Sequence, residues 1–240
     1  MPACPRVPVT LLVSLAALLA SACATNDPAV GRATGAVVAD APQFRVGDRW
    51  IYRVREGFRN PVVFEETRTV TAVGAEGATV RIVAKGPTLD AERVERWPAP
   101  GLVAQGALFD IETRRFASPL VRYRYPLSAG ETWNQNVANF NELTGRSGVI
   151  NRYVRVAGYD RVTTPAGAFD AVRLEVFMRL DDEEFWRWPT TTTYTLWYAP
   201  AARATVRELK RASYVEKGGP DVGALPAQNT LVELLSFTPG

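Results

Sequence analysis

The sequence predicts a mainly β chain: a single curved antiparallel sheet, forming a half-open barrel or folding into a two-layer sandwich. Three observations carry this. Apolar residues alternate with polar ones at period two, glycine and proline turns separate the alternating runs, and no long run has helical period. The composition, 47% hydrophobic and 22% charged, suits a globular core rather than a disordered chain or a membrane bundle.

Residues 1–22 read as an export signal. Arg6 supplies one positive charge, and Val7 to Ala20 is uncharged and mostly apolar. As a helix these residues span roughly 21 Å, short of the ~30 Å hydrocarbon core, so they read as a signal segment rather than a membrane span. Leu19-Ala20-Ser21-Ala22-Cys23 resembles a bacterial lipobox, with Ala20 where Leu is commonest. The resemblance implies cleavage before Cys23 and its acylation, with palmitate among the chains. Ala24 rather than Asp then implies the outer membrane, with the domain facing the periplasm. Two or three acyl chains anchor stably where one does not. The other reading, a plain secretory signal with a chance Cys near the cut, keeps the export and loses the anchor. Residues 23–43, rich in Ala, Thr, Gly and Pro, read as the lipidated Cys and a flexible tether spanning roughly 25 Å. Residues 44–240 are the folded domain.

Along that domain, Trp50, Tyr52 and Val54 alternate with Ile51, Arg53 and Arg55. Val80, Ile82 and Ala84 alternate with Thr79, Arg81 and Lys85. Val172, Leu174, Val176, Met178 and Leu180 share one face, as do Thr192, Tyr194, Leu196 and Tyr198. Val206 to Tyr214 and Thr230 to Phe237 are further strands, while Asp90 to Trp97 and Leu102 to Phe109 are ambiguous between helix and strand. Gly74-Ala-Glu-Gly77, Thr164-Pro-Ala-Gly167 and Gly218-Gly-Pro220 punctuate these runs. Gly47-Asp48-Arg49-Trp50 is echoed by Gly130-Glu131-Thr132-Trp133. Each is a glycine turn with a Trp plugging the sheet end, or else the two acids meet at one site.

Three stretches are similar to the TapB-like group of bacterial envelope proteins, a domain family of unknown function. They are Phe44 to Tyr52 with its Gly-Asp-Arg-Trp-Ile-Tyr core, Arg161 to Arg173 with Thr-Pro-Ala-Gly-Ala-Phe, and Thr193 to Pro200 with Leu-Trp-Tyr-Ala-Pro. The resemblance implies a β-rich fold and transfers no catalytic residue. Ala201-Ala-Arg203 stands where that group carries a glycine-containing turn.

The chain has no His, and its two Cys are Cys4 and Cys23, so imidazole and thiol chemistry are excluded. No cofactor or metal is expected. Asp181-Asp-Glu-Glu184 reads as a solvated hairpin tip rather than a Ca²⁺ loop, having no Gly or Asn to shape coordination. The formal charge of +3 is scattered, so no nucleic-acid partner is expected. Val121-Arg-Tyr-Arg-Tyr125 and Asn151-Arg-Tyr-Val-Arg155 read as strands with an aromatic face and a solvated arginine face. Trp186, Trp188, Tyr194 and Trp197 are the candidate ligand contacts, for a lipid or a glycan, and also candidates for the core, which the reading favours. The expected role is binding or envelope scaffolding, not catalysis. The alternative is a carboxylate-dependent hydrolase using Asp48, Glu131 and the Glu65-Glu66 pair.

Overall fold

The computed structural model describes residues 27–109, 112–182, 184–218 and 223–240. The signal segment, Cys23 and Glu183 lie outside the described residues.

Among the described residues thirteen strands follow one another: β1 (Val30–Arg32), β2 (Arg49–Glu56), β3 (Val62–Gly74), β4 (Gly77–Gly86), β5 (Leu89–Trp97), β6 (Leu102–Gly106), β7 (Arg114–Val121), β8 (Thr132–Asn141), β9 (Arg146–Thr164), β10 (Gly167–Asp181), β11 (Thr190–Ala199), β12 (Ala204–Tyr214) and β13 (Leu225–Thr238). From β2 to β13 each strand pairs antiparallel with its sequence neighbours, and β13 returns to β2 through Val232↔Val54 and Thr238↔Arg49. The result is a closed twelve-stranded up-and-down barrel. The expectation of a half-open barrel or a sandwich is corrected by that last pairing, which satisfies the backbone groups two edges would leave free. The ambiguous Asp90 to Trp97 is strand, and Leu102 to Phe109 is strand only to Gly106.

The alternation read from the sequence places the core. Trp50, Tyr52 and Val54 are buried, as are Val80, Ile82 and Ala84, and the five apolar residues from Val172 to Leu180. The outward faces carry ion pairs, Arg53–Glu233 at 3.0 Å and Arg161–Asp170 at 3.0 Å among them. A barrel facing hydrocarbon needs the reverse, an apolar band outside. Among the described residues no helix is long and apolar enough to cross a membrane.

The segment read as a tether is, from Asp27 onward, a strap on the barrel. β1 pairs with the far half of β9, Asp27 takes the Arg207 guanidinium at 2.7 Å, and the Ala39 carbonyl accepts the Leu127 N–H at 3.0 Å. Ala39 is buried in the main apolar cluster. Low apolarity did not keep this stretch free, because backbone hydrogen bonds and one ion pair hold it.

The Gly-acid-Trp echo is structural. Gly47 and Gly130 have φ of 94° and 90°, and donate to the carbonyls of Val70 and Val156. The Asp48 and Glu131 carbonyls accept from the N–H groups of the same Val70 and Val156. Beyond each valine the β3–β4 and β9–β10 ladders shift register, at Val70/Ala72 and at Val156/Gly158. Each fourth strand then turns through a proline and a left-handed residue, Gly101 (φ 83°) and Arg203 (φ 55°). The barrel is therefore two six-stranded halves, β2–β7 and β8–β13, with matching turns and bulges. Arg203 is the departure from glycine noted above. The left-handed region costs a side chain roughly 1–2 kcal/mol, and here Arg203 is held by both Asp48 oxygens at 3.0–3.1 Å.

Candidate binding site in the barrel lumen

Three strands turn charges inward by simple alternation. On β3, Glu66 and Arg68 share parity with Phe64 and Val70. On β5, Arg93 and Glu95 share parity with Trp97. On β9, Arg152 shares parity with Ile150, Val154 and Val156. β12 needs a bulge to do the same. Trp197 pairs with Arg207 but Tyr198 with Thr205, so Val206 is the extra residue. The slip leaves Thr205, Glu208 and Lys210 all on the inner side.

These side chains surround a cavity of about 110 Å³. It is lined by eight charged residues, Glu66, Arg68, Arg93, Glu95, Arg122, Arg152, Glu208 and Lys210, with Tyr123, Tyr194, Thr205 and Thr230. Glu66 bridges Arg68 at 2.7 Å and Arg93 at 3.0 Å. Burial alone would raise its pKa, but the two guanidiniums outweigh burial and hold it at about 2. Glu95 faces Arg93 at 3.8 Å and Arg122 at 3.4 Å, and accepts the Trp97 indole N–H at 2.8 Å. Against its burial, Arg122 and Arg93 hold it low as well. Lys210 pairs with Glu208 at 3.3 Å and donates to the Leu108 carbonyl at 3.1 Å.

Arg152 is different. It is 4% exposed and donates to the backbone carbonyl of Val121 at 2.7 Å. Among the described residues no carboxylate lies within ion-pair distance of it, whereas each of the other four cations has one. Burial pushes its pKa down to about 10, and the charge of Arg122 acts the same way. The guanidinium remains charged at neutral pH.

The four aromatic candidates are not brought together. Tyr194 lines the cavity, with the Lys210 ammonium 4.9 Å from its ring centre and burial pushing its pKa up to about 12. Trp197 lies on the other face of β11, buried, with its indole N–H on Asp160 at 2.8 Å. Trp186 and Trp188 sit on the loop between β10 and β11, 38% and 57% exposed. The core assignment favoured for these two is corrected, since that loop is not a strand with a buried face. It bonds instead to the segment after β12, through Trp188 N–H to the Val215 carbonyl and Lys217 N–H to the Trp186 carbonyl, both 2.8 Å.

The remaining candidates also separate. Asp48 has no exposure and accepts the backbone N–H groups of Arg45 and Gly240 at 2.9 Å, while Glu131 and Glu65 are exposed. The acids of the echo do not form a shared site. The acidic tip is corrected as well: Asp182 grips buried Arg114 at 2.8 Å and Glu184 pairs with Arg146. Tyr123 and Tyr125 leave β7 and pack against Tyr198, at ring distances of 5.1 and 5.6 Å. On β9 the expectation holds for Arg155, which faces solvent, and is corrected for its neighbours, with Arg152 inside and Tyr153 42% exposed. Sequence reasoning missed Arg152, Arg93, Glu95, Glu208 and Lys210. For Arg152 a signal existed, its shared parity with Ile150, Val154 and Val156. For Glu208 and Lys210 none did, because the bulge sets their direction.

No family model matches the chain, and no curated protein matches it. Two crystal structures share its fold. One is of a putative lipoprotein from Parabacteroides distasonis ATCC 8503, 13% identical, TM-score 0.52, the match covering 84% of this chain and all of that one. The other is of a putative exported protein with YmcC-like fold from Bacteroides fragilis NCTC 9343, 12% identical, with the same TM-score and coverage.

Proposed function

We propose that the chain is an envelope lipoprotein of the TapB-like group, anchored in the outer membrane through acylated Cys23 with its barrel facing the periplasm. The barrel binds a small polar ligand in its lumen and performs no catalysis. The observation that carries the binding role is the cavity itself. Eight charged side chains meet in the middle of a barrel that apolar residues could fill. Buried ion pairs are often no more stabilising than apolar residues of similar volume, so stability does not account for them.

At about 110 Å³ the cavity is well below the ~300–1,000 Å³ of a site for a drug-sized molecule. It suits a small molecule, or one end group of a glycan or lipid, rather than an acyl chain. A hydrolase of the two-carboxylate kind needs one protonated acid. Glu66 and Glu95, the two acids that Arg93 joins, are both held low by guanidinium groups. The lipobox-like Leu19 to Cys23 supports the anchor, and fold neighbours described as a lipoprotein and an exported protein agree with export. With Asp27 bound to Arg207, the four residues from Cys23 leave the barrel within roughly 14 Å of its anchor.

Native mass spectrometry of the protein purified from its own membranes tests the lumen role. A bound mass that is lost when Tyr194 is changed to Trp, filling the cavity, is the expected result. A cavity-filled variant that keeps the same bound mass sinks the lumen as the site.

A further inference from the structure

We propose that the lumen is an oxyanion site: Arg152, with Arg122 and Lys210 around it, binds a phosphate-class group carrying two negative charges. The inference rests on the reading of the lumen as a binding site and adds the chemical class of what enters it.

Charge balance comes first. The cavity is lined by five cations and three carboxylates, an excess of two positive charges. Four of those cations have a carboxylate partner, and among the described residues Arg152 has only backbone carbonyls. A buried guanidinium without a counter-charge is costly, and an anion that supplies one is bound strongly in such surroundings.

The second observation is independent of charge. Thr230 lines the same cavity, is 3% exposed, and its hydroxyl oxygen has no hydrogen-bond partner among the described residues. A hydroxyl can donate to an oxyanion, and buried polar atoms without partners are uncommon.

The two halves of the barrel supply the third. Val70 and Val156 are equivalent by their hydrogen bonds to the Gly-acid turns, so four residues earlier Glu66 and Arg152 are equivalent too. One half places the anion needed by Arg68 and Arg93 in the chain itself. The other places a cation at that position and leaves the anion to a ligand. Size agrees, since about 110 Å³ holds a group of a few heavy atoms. The side chains of Arg122 and Glu208, 24% and 20% exposed, mark the way to solvent.

The test uses the lipidated protein in detergent and equilibrium dialysis against labelled inorganic phosphate, with chloride holding ionic strength fixed. Saturable binding is expected, weakened about tenfold or more by Arg152→Gln and less by Arg152→Lys. Should Arg152→Gln fail to fold, Thr230→Val keeps every charge and is expected to weaken binding several-fold. Flotation with vesicles containing phosphatidic acid, against phosphatidylcholine alone, separates the sources. Arg152-dependent flotation puts the phosphate on a lipid, and binding of free phosphate without flotation puts it on a soluble molecule. Equal phosphate binding by wild type and Arg152→Gln overturns the proposal, as does the absence of both phosphate binding and flotation. If a neutral molecule is found bound in the lumen, the oxyanion fails and the binding role stands. If no mass is retained and neither phosphate nor vesicle binds, both fail.

Discussion

The two halves of the barrel carry the same turns and bulges and differ in how they treat buried charge. In the first half Glu66 is flanked by Arg68 and Arg93, all within 3.0 Å contacts. In the second half the equivalent of Glu66 is Arg152, whose polar contacts are backbone carbonyls. The scaffold therefore tolerates either sign at this position. What differs is whether the protein provides the opposite charge. A paired buried charge is part of the fold, and removing one partner exposes the cost of the other. An unpaired one is a stability cost already present, which makes it the better candidate for a functional group.

The largest expected effect tests the paired half. Glu66→Gln leaves Arg68 and Arg93 without their shared carboxylate and should destabilise the fold by about 3–5 kcal/mol, read from a urea melt. A loss below about 1 kcal/mol would mean that the bridge is dispensable and the contrast between the halves is false. Acid should act on the same pair. The Glu66 carboxyl sits near 2 in the fold against an ordinary 4.5, so its contribution is complete above about 4.5. It is lost as pH falls from there toward 2, to a total on the order of 3 kcal/mol. In Glu66→Gln that part of the acid dependence should vanish. If the variant and wild type keep parallel pH profiles down to pH 2, another group carries it.

The unpaired half should respond in the opposite sense. Arg152→Met removes a buried charge of similar length, and Val121's carbonyl keeps the Trp133 indole N–H at 3.2 Å. In ligand-free buffer the variant should be as stable as wild type, or up to about 2 kcal/mol more stable. A loss comparable to that of Glu66→Gln would show that Arg152 is compensated in the fold, and would remove the reason to read it as a ligand contact.

Much of the fold was legible because it is local. The alternation in β2, β10 and β11 and the glycine turns can be read within ten residues. Closure was not legible, because it depends on β13 meeting β2 nearly 180 residues away in sequence, Val232 on Val54. The candidate site was less legible still. Charged residues on an apolar strand face, such as Arg152, invite assignment to the solvent side, and only the company of Ile150, Val154 and Val156 argues otherwise. The inward turn of Glu208 and Lys210 depends on one extra residue, Val206, which has no local mark. The Gly-acid-Trp echo was visible as four residues, but the matching bulges that make it a repeat are properties of paired strands.

The smallest expected effect concerns the aromatic loop. Trp188 follows Arg187 and precedes Pro189, and its strand-like spacing from Trp186 suggested one buried face. Among the described residues its strand pairing is a single isolated bridge, Arg187 to Glu216, its backbone bonds across to the chain after β12 are to residues 215–217, and Trp186 packs edge-on against Tyr214 at 5.4 Å. Trp188 is 57% exposed and its ring meets the Lys217 ammonium at 5.0 Å. Truncating a buried Trp costs about 3–5 kcal/mol through lost transfer energy and a cavity. Here there is no cavity to create, and a surface cation–π contact is worth only about 0.5–1 kcal/mol. Trp188→Ala should therefore shift the urea midpoint by no more than that contact allows, and should leave phosphate binding in the lumen unchanged. Trp50, stacked on Phe237 at 5.4 Å with its indole N–H on the Ala202 carbonyl at 2.7 Å, provides the control in the other direction. Should Trp188→Ala prove as damaging as Trp50→Ala, Trp188 is packed against something more than Val215 and Lys217, and the lumen is no longer the sole region where binding must be sought.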